Sequence, residues 1–278
     1  MPAPVDTASA VHPAIPWLRR ENLRFHGFLG AFTEADWRGP TLCTEWCAAQ
    51  VVGHMIGGAA SYADRVEAAL EGRVIFGLGA QGAEEFQAKR AAIMKETLAL
   101  PGPERVARLA EADRRLDEAL ARLRPEDLDR PTWHRKGSLP LRLLPGQRLG
   151  EVVLHRRDLG NDPAAPLETE AIGVLARVLE ERIPRQFEGA PREGLAGRFR
   201  VETTDPAHAF TLEARDGALL PAPGAGGWDA RLRAPAGDMV LLVTGRAGRA
   251  EREGAGRLLV EGDRKKAEAL MRAVFRPI

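Results

Sequence analysis

Two cysteines, one tyrosine, five lysines among 278 residues and no long apolar run mark the chain, and each scarcity excludes something. Cys43 and Cys47 cannot frame a disulfide-stapled fold and read as reduced thiols. No stretch approaches the roughly 18 apolar residues of a membrane span, so no membrane partner is expected. Met1 to Val11 has no basic stretch leading into an apolar run, as a secretory signal would, so a cytoplasmic location is expected. Excess charge of either sign is missing too. Lys+Arg 40 against Asp+Glu 39 gives a net charge of +1, which argues against nucleic acid, whose phosphates call for clustered positive charge. Arginine supplies 35 of the 40 basic residues, a pattern of codon bias in a GC-rich genome. With 44% hydrophobic and 28% charged residues, the composition is that of a soluble globular protein, and nothing in it sets an oligomeric state.

Two domains are expected, 1–187 and 188–278. From Pro13 to about Gln186 the pattern is helical, with segments at Trp17–Leu29, Thr44–Glu71, Glu84–Leu98, Glu104–Leu123, Arg148–Leu159 and Glu168–Arg182. Thr44 reads as an N-cap of the longest helix. Within that helix Val51, Val52, Met55 and Ile56 make an apolar stripe, while Gly53, Gly57, Gly58 and neighbouring alanines leave one side thin enough for another helix to approach closely. Pro101-Gly102-Pro103 and Leu144-Pro145-Gly146 read as breaks. Four main antiparallel helices fit this best. After Pro184 the stretch Phe187–Gly197 reads as a connection. Beyond it the period shortens to two at Phe199, Val201 and Thr203, then at Phe210 and Leu212, with a turn at Asp216-Gly217. Leu220–Gly227 reads as a loop. Strands at Trp228–Leu232 and Arg257–Val260 and helices at Asp238–Thr244 and Asp263–Phe275, the last capped by Asp263, complete a smaller α+β domain.

Two of the six histidines interrupt apolar helical segments, His54 in Val51–Ile56 and His155 in Val152–His155. An imidazole among aliphatic side chains needs partners for its nitrogens. Glu151 stands one helical turn before His155, on the same face. With His54 from a facing helix, the three make a divalent-metal site with open coordination positions, as catalytic zinc has. Spacing alone favours the plainer reading, a hydrogen-bonded Glu151–His155 pair and a satisfied core histidine at 54.

The segment from Asp36 through Trp37, Pro40-Thr41, Cys43 and Trp46 to Val51-Val52-Gly53-His54 resembles the opening of the mycothiol-dependent maleylpyruvate isomerase family. Glu151 to Gly160, with His155 and Asp158, resembles its Glu-x-x-x-His-x-x-Asp metal motif. The resemblance implies a DinB-like four-helix bundle followed by a domain related to sterol carrier proteins, with which residues 197 to 275 are compatible. It also implies a bound divalent metal on His54, Glu151 and His155, zinc first, with nickel, manganese or iron as alternatives. Arg156-Arg157 and Gln50 depart from the family's usual residues, which bears on substrate rather than on metal.

Such proteins use a low-molecular-weight thiol cofactor such as mycothiol, and a divalent cation would convert a thiol of pKa near 8.5 into a thiolate at neutral pH. Adding to an electron-poor double bond and leaving after rotation is isomerisation; stopping at addition or displacement is thiol transfer. The expected partners are thus the thiol and a small electrophilic substrate. The alternatives are a non-catalytic metal- and ligand-binding protein and a metal-activated hydrolase. Asp158, three residues after His155, either orients that ring from behind or bonds locally. Cys47 reads as a core residue. Arg246, in a Thr-Gly-Arg turn, is a candidate for binding a carboxylate of substrate or cofactor, or is simply solvated. His12 and His26 read as helix-surface residues, His208 as strand or loop, and His134 as loop.

Overall fold

A computed structural model describes residues 10–135, 137–187, 195–222 and 226–276. The contacts divide the chain into two units, Met1–Asp162 and Pro163–Ile278.

The first unit is a ring of four helices, α1 (Ala14–Gly30), α3 (Ala48–Leu70), α5 (Gly102–Ala121) and α6 (Leu143–Leu159), with a short α2 (Glu34–Arg38) after α1 and α4 (Ala83–Ala99) between α3 and α5. α3 packs on α5 and α6, and α1 packs on the same two, so each helix of the ring has two neighbours. The apolar stripe of α3 enters the core, where Val51, Val52, Met55, Tyr62 and Val66 meet Phe25, Leu29, Leu109, Leu116, Leu120 and Val152. α4 lies along the thin side of α3. A Cβ on Gly53 would stand 2.8 Å from the Met94 Cα, so this approach needs glycine there.

The helices that carry the candidate ligands, α3 and α6, both start away from the sequence reading. α3 begins at Ala48 with Cys47 as N-cap, not at Thr44, and the Gln50 side chain accepts the Cys47 N–H at 3.0 Å. Pro40 to Trp46 is instead a folded turn, held by the Thr41 hydroxyl, which donates to the Trp46 carbonyl at 2.8 Å. α6 starts before Pro145, not after it. Pro145 is its third residue, where a missing N–H leaves no hydrogen bond unmade.

The second unit contains α7 (Ile172–Phe187) and a five-stranded sheet in the order β5-β4-β3-β6-β7. Its strands are β3 (Gly197–Thr204), β4 (His208–Arg215), β5 (Ala218–Pro221), β6 (Ala230–Pro235) and β7 (Leu259–Gly262), numbered after a two-stranded pair in the first unit, β1 (Pro131–Thr132) and β2 (Leu139–Pro140). β3 and β6 are parallel and the other pairs antiparallel. Alternation places Phe199, Val201 and Thr203 on the buried face, with Val201 between Phe210 and Leu232. α8 (Ala236–Val243), α9 (Arg249–Gly254) and α10 (Arg264–Val274) follow, and α10 is capped as expected by Asp263, which accepts from the Lys265 and Lys266 backbones. β5 and α9 were not anticipated, because segments of four and six residues carry little periodicity.

The division of the chain also differs from the expected one at 187/188. α7 packs on α8, α10, β4 and β5, because its buried Leu175, Leu179 and Ile183 cover that fold. Of the stretch expected to connect the domains, residues 188–194 lie outside the described residues, as do 223–225 of the Leu220–Gly227 loop and 1–9 of the N-terminal segment. Among the described residues no helix is long and apolar enough to cross a membrane.

The α3–α4 contact makes a prediction. Gly53→Ala should destabilise the first unit by about 1–3 kcal/mol through overpacking. Gly27→Ala on α1, where a Cβ meets nothing within 4 Å, should instead stabilise it by about 0.5–1 kcal/mol through helix propensity. Urea unfolding of the two variants checks the pair.

Candidate metal centre

The two apolar-segment histidines meet. His54 on α3 and His155 on α6 have ring centroids 5.1 Å apart, edge to face, and the Trp46 ring lies 5.2 Å from that of His54 on another side. Glu151, one turn before His155, stands close enough for its charge to act on His54. Thus His54 and His155 adjoin where α3 faces α6, with Glu151 one turn from His155.

The surroundings set their protonation. Burial, then the neighbouring His155, pushes the His54 imidazole down to about 3, against the opposing pull of Glu151, so the ring is neutral. Burial would push the Glu151 carboxyl up, but Arg148, His54, His155 and Arg90 together outweigh it and hold the group below its ordinary range. Arg148 is fully buried. It bonds Asp113 of α5 through Nη2 at 2.8 Å and Glu151 through Nη1 at 3.4 Å, while Tyr62 Oη reaches Glu151 at 3.5 Å. The other oxygen of Asp113 takes His26 Nε2 at 3.0 Å, so His26 is drawn towards the core by a buried anion rather than lying free on the helix surface.

Behind His155 stands Asp158, whose Oδ2 is 3.0 Å from Nδ1. Cys43, from the turn before α3, donates its thiol to that same oxygen at 3.4 Å and lies 3.7 Å from the same ring nitrogen. Cys43, His155 and Asp158 are, among the described residues, the three groups whose potential ligand atoms all lie within 4.8 Å of one another. The turn reaches α6 because the Leu42 N–H donates to the Asp158 carbonyl at 3.0 Å. Cys47, the other thiol, packs against the core as the sequence implied.

Arg90 was not foreseen. It extends from α4, and its Nη2 is 2.6 Å from His54 Nδ1. The signal for it was indirect: the Gly53 and Gly57 side of α3 admits α4, and Arg90 and Ile93 are what a Cβ at Gly57 would touch. Arg246 belongs to the second unit, after α8, where its Nη1 donates to the Thr244 carbonyl at 3.5 Å. His134 is in the loop between β1 and β2, His12 accepts the Ala14 N–H ahead of α1, and His208 on β4 is 3.6 Å from Glu180.

Comparison with known proteins agrees with this architecture. Residues 178–274 match the profile of the SCP-2 sterol transfer family. The crystal structure of a histidine-to-alanine variant of the mycothiol-dependent maleylpyruvate isomerase superposes with a TM-score of 0.60 at 14% identity, covering 89% of this chain and 91% of that one. That of the mycothiol-dependent maleylpyruvate isomerase gives 0.60 at 16% identity, covering 85% and 89%. At such identities the likeness speaks for the fold alone. No curated protein matches the chain. The profile of the mycothiol maleylpyruvate isomerase N-terminal domain matches residues 18–160, more than half of the chain, and the protein therefore belongs to that family.

Proposed function

We propose that the first unit holds one divalent ion, zinc first among the candidates, through His54, Glu151 and His155. With it the protein would use a low-molecular-weight thiol such as mycothiol to isomerise, or transfer the thiol to, a small electrophilic substrate. The observation that carries this reading is the meeting of two imidazoles and an ionised carboxylate from α3 and α6. Family membership supplies the thiol and the reaction class.

The donor set suits such an ion. A ligand imidazole must be neutral and a ligand carboxylate ionised, and those are the states that burial and Arg148 impose on His54 and Glu151. Three protein ligands leave positions open for a thiol sulfur. A divalent ion there would lower the pKa of a coordinated thiol and supply a thiolate at neutral pH.

The remaining residues position and shield. Asp158 engages Nδ1 of His155, which leaves Nε2 as the nitrogen free to bind and fixes the ring's orientation. Arg148 and Tyr62 hold the Glu151 carboxylate from behind. Trp46 covers His54 and keeps water from that side. Cys43 stands behind His155 as a second donor to Asp158, not as a ligand.

Metal analysis of purified protein should find close to one divalent ion per chain, lost in a His54→Ala/His155→Ala double variant. A wild type that stays empty after supplementation contradicts the reading. With metal bound, small thiols should raise the melting temperature, and without it they should not. Stabilisation by lipid-like ligands with indifference to thiols would favour a binding protein, and ester turnover without thiol a hydrolase.

The roles of Asp158 and Cys43 separate cleanly. Asp158→Asn should weaken metal binding by about 10–100-fold, the usual effect of losing a group that orients a ligand. Cys43→Ser should change it much less. Competition titration against a chelating dye measures both, and the reverse ranking would move the site to Cys43.

A further inference from the structure

Arg90 stands in a chemically exclusive relation to the proposed site. A guanidinium has only donors and keeps its proton at any ordinary pH. At 2.6 Å from Arg90 Nη2, the Nδ1 of His54 must therefore be the acceptor. A neutral imidazole that accepts at Nδ1 carries its hydrogen on Nε2, so neither nitrogen has a lone pair to spare. Coordination through Nδ1 would need the position of the Arg90 hydrogen. Coordination through Nε2 would move the ring hydrogen to Nδ1 and set it against an N–H of Arg90. Either route breaks the bond between them.

We propose that Arg90 is an exchangeable cation of this site: it holds His54 and neutralises Glu151 while the metal is absent, and it must release the imidazole when the metal binds. The inference rests on the metal reading given above. Three features support it. Burial weighs most against the charge of Arg90, and Glu151 is the group that most favours it. Arg135 and Arg65 oppose that charge from nearby, which leaves Glu151 as the principal anion holding it there. Arg90 is also long and only half-buried, on the outer helix α4, where it meets in addition the Gln87 side chain at 3.3 Å and the Phe86 ring at 5.7 Å. Arg90 is thus a positioning residue, one that sets metal affinity through His54.

The sign of the effect makes the test sharp. Ordinary structural damage weakens metal binding, whereas removing a competing internal cation tightens it. Zinc affinity, measured by competition with a chelating dye, should rise roughly tenfold or more in Arg90→Met and Arg90→Gln, corresponding to ~1.4 kcal/mol or more. Arg90→Lys, which keeps a donor and a charge, should stay near wild type. In the metal-free wild type, two-dimensional nitrogen–proton NMR of the imidazoles should show His54 as the Nε2–H tautomer, and zinc should abolish that pattern. Unchanged or weaker zinc binding by Arg90→Met, with far-ultraviolet circular dichroism showing native helix content, would overturn the inference while leaving the metal site standing. Failure of the wild type to bind zinc would overturn the metal reading itself.

Discussion

The Arg148 guanidinium is the constraint around which the first unit is arranged. A charge so deeply buried persists only with anions against it, and Asp113 of α5 and Glu151 of its own helix supply them. Losing one partner from such a pair would strand the other charge, at a cost on the order of 3–5 kcal/mol. The consequence reaches beyond stability. The same guanidinium that ties α6 to α5 keeps Glu151 ionised, one turn from His155 and within reach of His54. Structure and chemistry meet in one ion-pair network.

A second constraint is close packing without side chains. Gly53 and Gly57 let α4 rest on α3, and this brings Arg90 over His54. On the far side of the site the Thr41 turn sends Cys43 towards His155 and Asp158. His54 is therefore enclosed by Trp46, His155 and Arg90, an environment that keeps the imidazole neutral. His155 is held instead by the Asp158 carboxylate, 3.0 Å from its Nδ1. Each ring has its own partner, a cation for one and an anion for the other.

Much of this was legible in the sequence because it is local. The apolar stripe of α3, the Glu151-to-His155 turn, the Asp158 pairing and the alternation at Phe199, Val201 and Thr203 all follow from helical or strand period. The start of α3 was misplaced because Cys47 with Gln50 makes a cap that Thr44 imitates, and Pro145 hid the start of α6 because a proline reads as a break although a first turn tolerates it. The assignment of α7 failed for another reason: its amphipathic pattern says that one face is buried, not against which domain. Arg90, Cys43 and the Asp113–Arg148 pair are joined over 35 to 115 residues. No periodicity encodes such distances; only the packing of α4, the Thr41 turn and α5 creates them.

The central claim is that two imidazoles and one carboxylate, with no protein sulfur, bind the ion. X-ray absorption at the zinc edge of the zinc-loaded, thiol-free protein reads that directly. The account predicts a shell of nitrogen and oxygen at about 2.0–2.2 Å with two imidazole scattering patterns. A sulfur at about 2.3 Å would place Cys43 in the shell and contradict it.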